Sequence, residues 1–199
     1  MTFQFEQFDQ ALRLLSGRLS LTEATPYNLV VCGGTALVAN ELVMRATRDV
    51  DIVAMVDVNG NLVDPAPLPE LLVEAAKVVA EDLGLPDNWL NNEPSGGEGG
   101  LFRMGLPDGF LDRVAWKTFG NNLKVGFIGR HDQVHFKLYA AVDQMGSYHA
   151  TDLQTLEPTD EELLIAAAWT RTHDPSEGYL QSLKWFFTEF GYEQLVERI

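Results

Sequence analysis

The sequence predicts an α/β (α+β) fold in which a mixed sheet is flanked by helices and followed by a helical C-terminal region. Two apolar runs rich in β-branched residues, 29–32 and 50–58, are typical of strands. Elsewhere, apolar residues recur at three- and four-residue spacing, which is typical of amphipathic helices. From Asp132 onward the pattern is helical almost throughout. Strands followed by a run of helices favour a sheet domain with a helical extension.

The first half of the predicted sheet domain alternates between helices and strands. An amphipathic first helix ends near Gly17 and is indicated by four regularly spaced apolar residues: Phe5, Phe8, Leu12 and Leu15. The strand at 29–32 leads through a Gly-Gly-Thr turn into a helix at 36–43. The strand at 50–58 is closed by Asn59-Gly60, a strong hairpin signal that returns the chain into a third strand.

The second half of this domain begins with a helix at 68–83, for which Gly84 supplies the C-terminal stop. The glycine-rich stretch 88–100 has no periodicity and is predicted to be a mobile loop. The rest of the sheet is predicted as three short strands, at 101–104, 110–116 and 123–127.

The C-terminal region is predicted to be helical. Thr159 and Glu162 form the pattern of a capping box at the start of one helix. The predicted helices are 133–144, a short one after Thr151, 159–172 and 176–190. We therefore divide the chain into a sheet domain at 1–130 and a helical region at 131–199.

Composition limits the classes of partner. The 199 residues carry 29 acidic and 14 basic side chains, a formal net charge of −15 spread over the whole chain. Such a surface repels the nucleic-acid backbone. Five basic residues can nevertheless form a local cluster that receives a nucleotide: Arg45, Arg48, Arg103, Arg113 and Lys117. The sequence shows neither a signal peptide nor a bilayer-spanning run, so we expect a cytoplasmic protein without a membrane partner.

Two motifs carry candidate chemistry. Gly33-Gly34-Thr35 lies between a strand and a helix, where free backbone N–H groups and the helix dipole favour a phosphate. Asp49 and Asp51 follow at alternate positions of the next strand, so their side chains lie on one face and can share a divalent cation. A cation beside a phosphate-binding turn is typical of a phosphoryl-type transfer site.

These motifs resemble the nucleotidyltransferase superfold, the polymerase-beta-like group, whose pattern is a Gly-Gly turn followed about a dozen residues later by Asp-x-Asp. Thirteen residues separate Thr35 from Asp49. Within that group, the wording Gly-Gly-Thr-Ala-Leu…Arg-x-Thr-x-Asp-Val-Asp is similar to the AbiEii-type toxin branch of bacterial toxin–antitoxin and phage-defence systems. Lys137, on a predicted helix, and the Asp152-Leu153 pair match a second block of that branch, which carries a helix Lys and, further on, an Asp-Leu pair.

The resemblance implies roles for individual residues. Gly33, Gly34, Thr35, Asp49 and Asp51 belong to the metal and phosphate site. Lys137 contacts the triphosphate, and Asp152 is an acid of a second region. Arg48 and Asn91, the latter in a Trp-Leu-Asn run, are further candidates for lining the nucleotide site.

Three assignments have alternatives. Asp112 is the candidate third carboxylate, but Arg113 beside it can hold it in an exposed ion pair instead. Lys137 can be a solvent-exposed helix lysine. Asp152 can be an acid in the first turn of a helix. Cys32, the single cysteine, is expected to be a small buried hydrophobic residue.

Two functions remain open. The first is transfer of a nucleotidyl group from a nucleoside triphosphate to an unknown acceptor, with Mg²⁺ or Mn²⁺ as cofactor. The acceptor can be tRNA, a protein or a small molecule, and the resemblance adds a cognate antitoxin as a partner. The alternative is an inactive binding module with the same fold. One observation in support of this alternative is that the family places an Arg where this chain has Asp143 and Gln144.

Overall fold

In the computed structural model of the protein, residues 5–22, 25–40, 42, 47 and 49–199 are described. The chain is 54% helical and 15% strand, with a six-stranded mixed sheet flanked by helices. The predicted fold class is therefore confirmed. The chain divides into two compact units, Met1–Gly129 and Arg130–Ile199, named here the first unit and the second unit. No described helix has both the length and the apolar character that crossing a membrane requires.

The first unit contains the sheet. Its strands are β1 (Tyr27–Cys32), β2 (Val50–Val56), β3 (Leu62–Val63), β4 (Leu90–Asn91), β5 (Ala115–Thr118) and β6 (Leu123–Phe127). The order is β3-β2-β1-β6-β5, and β4 also pairs with β2. The pairs β1–β6 and β2–β4 are parallel and the others are antiparallel. Strand β1 ends beside the predicted site and its antiparallel neighbour β2 begins there.

Among its described residues, the first unit also contains the helices α1 (Phe5–Leu19), α2 (Gly33–Ala39), α3 (Glu70–Leu83) and α4 (Leu101–Met104). The amphipathic α1 buries one apolar face and packs against α3. It ends two residues after the predicted stop at Gly17. α3 ends at Gly84, which has the left-handed conformation (φ 63°) expected of a glycine stop. The predicted end of α2 at Val43 lies outside the described residues.

Two predictions in the first unit are wrong. Residues 101–104 form helix α4 rather than a strand, because Arg103 and Met104 donate backbone hydrogen bonds to Gly100. Residues 110–113 form a 3₁₀ turn, and the strand begins only at Ala115. Both segments are too short for alternation of apolar residues to separate a strand from a helical turn.

The stretch 88–100, predicted to be a loop without structure, is ordered in its first half. It contains β4 and a 3₁₀ turn, Glu93–Ser95. Trp89 is fully buried, and its indole N–H donates to the carbonyl of Ala76 at 2.9 Å. One buried aromatic residue thus anchors a segment whose glycines indicate a loop.

The ladder between β1 and β2 contains an irregularity. The partners on either side of it are Val30 with Ala54 and Val31 with Ile52. Val53 is therefore an extra residue on β2, which defines a β-bulge. The hydroxyl of Ser95 donates to the carbonyl of Val53 at 2.7 Å and holds the bulge from the side of the 3₁₀ turn.

The second unit is helical, as predicted. Its helices are α5 (Arg130–Asp143), α6 (Tyr148–Thr155), α7 (Asp160–His173) and α8 (Glu177–Glu189), and a 3₁₀ turn follows at Glu193–Arg198. α5 contacts the other three helices and is buried along most of its length. The predicted capping box is present: Thr159 accepts from the backbone of Glu162, whose side chain accepts from the backbone of Thr159.

Arg130 ties the start of α5 to the connection between α6 and α7. Its guanidinium donates to the carbonyls of Leu156 and Glu157, both at 2.9 Å, and forms an ion pair with Glu162. The hydrogen bonds from Arg130 lower the pKa of Glu162 to about 2, against the opposing effect of burial. Glu162 thus joins a helix cap to an ion pair.

This ion pair predicts acid sensitivity. The folded-state pKa of Glu162 lies below its ordinary value of 4.5, so its contribution to stability is complete above about pH 4.5 and is lost as the pH falls towards 2. The side chain is 26% exposed, so after discounting for solvent we expect Glu162→Gln to cost about 1–2 kcal/mol at neutral pH. Urea unfolding from pH 2 to 7 should show a shallower pH dependence in the variant. Glu161→Gln, at the exposed neighbouring position, should keep the wild-type dependence, and equal profiles for all three proteins would contradict the assignment.

Candidate functional site

The site begins where β1 passes directly into α2. Gly33 starts the helix with a positive φ of 68°, a conformation that glycine adopts without steric cost. A Cβ at Gly33 would clash with Oδ2 of Asp51 on the neighbouring strand. Gly34, which follows, is buried within α2. The first glycine of the predicted turn is therefore required both by the backbone and by the approach of a carboxylate.

Asp51 is also in contact with β4. Strands β2 and β4 are parallel, with Asp51 opposite Asn91. The Nδ2 group of Asn91 donates to Oδ1 of Asp51 at 3.1 Å and to the carbonyl of Asn88 at 3.4 Å. The structure thus places Asn91, a candidate from the sequence, directly beside one of the two candidate acids.

Asp49 lies just before β2, two positions from Asp51, which is the second residue of that strand. Both residues are half-buried. The carbonyl of Asp49 accepts hydrogen bonds from the hydroxyls of Thr35 and Thr47, the latter at 3.5 Å. Backbone contacts therefore fix the position at which the first carboxylate leaves the chain.

Thr35 holds the site together from inside the protein. It is fully buried, and its one hydroxyl proton is donated to Asp49. Thr35 therefore acts on the site through Asp49 and has no second proton to give to a phosphate. Arg48 and Arg45 lie outside the described residues.

Asp112 is exposed and lies in the 3₁₀ turn that precedes β5. Strands β1 and β6 separate β5 from β2, a distance of three strand spacings or about 14 Å. The strand order therefore lends no support to Asp112 as a third ligand beside Asp49 and Asp51. Within the described ranges, no group of three or more His, Cys, Asp or Glu side chains is placed to hold a metal ion.

The three described cations of the predicted basic set lie beside acidic or carbonyl groups. Arg103 pairs with Asp64 at 2.6 Å, and Lys117 pairs with Asp9 at 2.6 Å. Arg113 donates to a backbone carbonyl, that of Asp108, at 2.8 Å. These contacts use the three cations locally and do not bring them to one nucleotide site.

The second unit contains a buried cluster around Lys137. Its ammonium lies 2.8 Å from Oδ2 of Asp152 and 3.3 Å from Nδ1 of His149, and it lies over the ring of Tyr148. The side chains of Lys137 and Asp152 are 4% and 6% exposed. The alternative of a solvent-exposed lysine is wrong for Lys137, which is buried. The alternative of a first-turn acid is wrong for Asp152, which lies in the middle of α6.

The first unit thus presents Asp51 between Gly33 and the amide of Asn91, with a second half-buried carboxylate, that of Asp49, two positions earlier in the chain. Oxygen ligands of this kind suit a hard divalent cation such as Mg²⁺. The second unit contains the buried ion pair of Lys137 with Asp152, both of whose members belong to that unit. Comparisons of the chain with family models, with curated proteins and with solved structures find no match.

Proposed function

We propose that this protein is a metal-dependent nucleotidyltransferase. The observation that carries the proposal is the contact between Gly33 and Asp51, in which the turn between β1 and α2 meets the strand that bears the acid pair. The sequence supports it independently, since Gly33-Gly34-Thr35 and Asp49-Val-Asp51 occur in the order and spacing of the superfold that they resemble.

The donor set fits the cation that this function needs. Asp49 and Asp51 would hold Mg²⁺ or Mn²⁺, because both are half-buried carboxylates at the start of β2. When bound, the cation would act as a Lewis acid that offsets the negative charge developing during the transfer. Gly33 and Gly34 would receive phosphate through their backbone N–H groups.

The reaction transfers a nucleotidyl group. An acceptor hydroxyl oxygen forms a bond to the α-phosphorus of a nucleoside triphosphate, the bond from that phosphorus to the bridging oxygen breaks, and pyrophosphate leaves. The hydroxyl proton passes to a carboxylate, for which Asp51 is the candidate, since the strand order places Asp112 away from the turn. The acceptor is tRNA, a protein or a small molecule, and we place the activity in a bacterial toxin–antitoxin or phage-defence system in the cytoplasm, with a cognate antitoxin as partner.

A second candidate function is a nucleotide-binding module without catalysis. The observation that favours it is the ion pair of Lys137 with Asp152. The resemblance assigns Lys137 to the triphosphate, but here the Lys137 ammonium is bound by a carboxylate of the second unit. A module of this kind would bind the nucleotide and release no pyrophosphate.

The test compares wild type with Asp49→Asn/Asp51→Asn. Each nucleoside triphosphate is added with Mg²⁺ or Mn²⁺, and thermal unfolding is recorded. At one hundred times Kd, the ligand should stabilise wild type by about 2.7 kcal/mol. The double variant should show no metal-dependent shift and should be no less stable than wild type without ligand, since two like charges are removed. Glu74→Gln/Glu81→Gln, which removes two exposed charges from α3, should respond as wild type does.

The same samples separate the two functions. Transfer of α-³²P from the triphosphate to bulk tRNA, protein or small molecules, with release of pyrophosphate, supports the transferase. Binding without either product supports the module. An equal thermal shift in wild type and in Asp49→Asn/Asp51→Asn would contradict the assignment of the metal to these two residues under either function.

A further inference from the structure

The first unit has a cavity of about 410 Å³ that lies away from the candidate metal site. Leu62, one of its lining residues, pairs with Val56 at the end of β2, whereas Asp51 is the second residue of that strand. Because a strand rises about 3.4 Å per residue, these two positions on β2 are about 17 Å apart. The cavity is therefore separate from the acid pair, and the proposed function does not account for it.

The walls of the cavity are apolar and are held in place by the fold. Six apolar residues line it: Leu62, Phe102, Leu106, Pro107, Phe110 and Leu111. On one side, Arg103 of α4 pairs with Asp64 at 2.6 Å, which ties the helix to the segment that follows β3. On the other side, the backbone N–H of Phe110 donates to the carbonyl of Pro107 at 3.1 Å. The cavity is thus a built feature of the first unit.

Part of this apolar lining remains in contact with solvent. Four of the six residues are only half-buried: Leu62, Phe102, Leu106 and Leu111. An occupant with a hydrocarbon body would remove this surface from water, which is favourable. The volume lies within the range of about 300–1,000 Å³ that is typical of small-molecule sites. Size and lining therefore favour a small, partly apolar ligand.

The ionisable residues at the cavity are both acidic. Asp108 and Asp112 belong to its lining, and none of the described residues that line it is basic. Both aspartates are exposed, and neither carboxylate forms a salt bridge with any residue in the described part of the chain. Arg113 donates to the backbone carbonyl of Asp108 at 2.8 Å. The two carboxylates, in a chain of net charge −15, favour a cation at this cavity and disfavour an anion.

We propose that this cavity binds a small organic ammonium ion. Its hydrocarbon or aromatic body occupies the apolar walls, and its ammonium group contacts Asp108 and Asp112. Phe102 and Phe110 supply aromatic surface, against which a ring can pack edge-to-face or offset. A nucleotide carries the opposite charge, so this site differs from the proposed nucleotide site in chemistry as well as in position.

The test uses three probes that share a phenyl ring and a two-carbon chain and differ in charge: 2-phenylethylammonium, 2-phenylethanol and 3-phenylpropionate. Each is titrated into the full chain without metal or nucleotide, and the leucine methyl signals are followed by nuclear magnetic resonance. The signals of Leu62, Leu106 and Leu111 should shift, whereas those of Leu14 and Leu71, exposed on α1 and α3, should not. We expect the ammonium to bind about fivefold more tightly than the alcohol, and the carboxylate to bind more weakly than either.

A charge variant tests the role of the two carboxylates. Asp108→Asn/Asp112→Asn keeps the shape of the cavity and removes its charge, so the ammonium and the alcohol should bind equally. The matched control, Glu74→Gln/Glu81→Gln, removes two exposed acids from α3 and should keep the fivefold preference. An unchanged preference in the Asn variant, or equal affinities of wild type for the three probes, would overturn the proposal.

The position of the site is tested by the same spectra. The proposal fails if the signals of the cavity leucines do not shift, or if those of Leu14 and Leu71 shift with them. Shifts caused by tetralysine amide but not by 2-phenylethylammonium would overturn the small-molecule ligand in favour of a basic protein partner. Since no sample contains a metal ion or a nucleotide, none of these outcomes bears on the proposed function.

Discussion

Replacement of Lys137 by methionine is expected to lower the free energy of unfolding by about 3–5 kcal/mol. The ammonium is 2.8 Å from Asp152, and both side chains are almost wholly buried. Removal of the cation leaves the Asp152 carboxylate without its counter-charge in a medium that solvates it poorly. Urea unfolding of the full chain, followed by tryptophan fluorescence, measures the loss.

The partner substitutions separate structure from function at this pair. Asp152→Leu should cost a similar amount, because it leaves Lys137 as the unpaired charge. Lys137→Met/Asp152→Leu replaces the pair by apolar groups of similar volume and should recover most of the lost stability. Additive losses in the double variant would contradict the buried pair. If the stable double variant loses triphosphate affinity while Glu74→Gln/Glu81→Gln keeps it, Lys137 also has the role in nucleotide binding that the sequence predicts.

Gly33→Ala is expected to cost about 2–5 kcal/mol and to impair metal binding. A non-glycine residue in the left-handed region costs about 1–2 kcal/mol, and the contact of its Cβ with Asp51 adds the penalty of overpacking, about 1–3 kcal/mol. Asp51 must move to relieve the contact, so its carboxylate leaves the position that the proposed cation needs. Urea unfolding and Mn²⁺ titration measure the two effects.

Gly84→Ala is the matched control for this change. Gly84 has a φ of 63°, close to that of Gly33, but a Cβ there meets nothing within 4 Å. It should therefore show the backbone cost alone and bind Mn²⁺ as wild type does. Equal losses of stability in the two variants, with equal Mn²⁺ affinity, would show that the approach of Asp51 to Gly33 has no consequence for the site.

Elements with strong local signals were predictable from the sequence. α1 and α3 follow from apolar spacing, the end of α3 from Gly84, and the start of α7 from the capping box of Thr159 and Glu162. The short segments were not predictable, because four residues carry too little periodicity. The wrong strand at 101–104 and the unforeseen β4 are both of this kind, and β4 depends on the burial of Trp89 within the folded unit.

Within the site, the sequence located the residues more reliably than their contacts. Asp51 and Asn91 are forty positions apart, yet they pair because β2 and β4 are neighbours, which no local pattern reveals. Thr35 was predicted to bind phosphate, but tertiary packing turns its hydroxyl to Asp49. The neighbours of Lys137 were missed because His149 follows it by twelve residues, a spacing with no meaning until α5 and α6 pack together.

The bulge at Val53 interrupts the alternation of side chains between the two faces of β2. In an unbroken strand, residues an even number apart share a face, so Asp51 would lie on the side of Met55. Here Asp51 is opposite Cys32 while Ala54 is opposite Val30, so two residues three positions apart share a face. The bulge thus changes once, between Asp51 and Ala54, which residues of β2 share a face. The bulge therefore directs Asp51 to the face of the sheet on which Ala54 lies and away from the face of Met55.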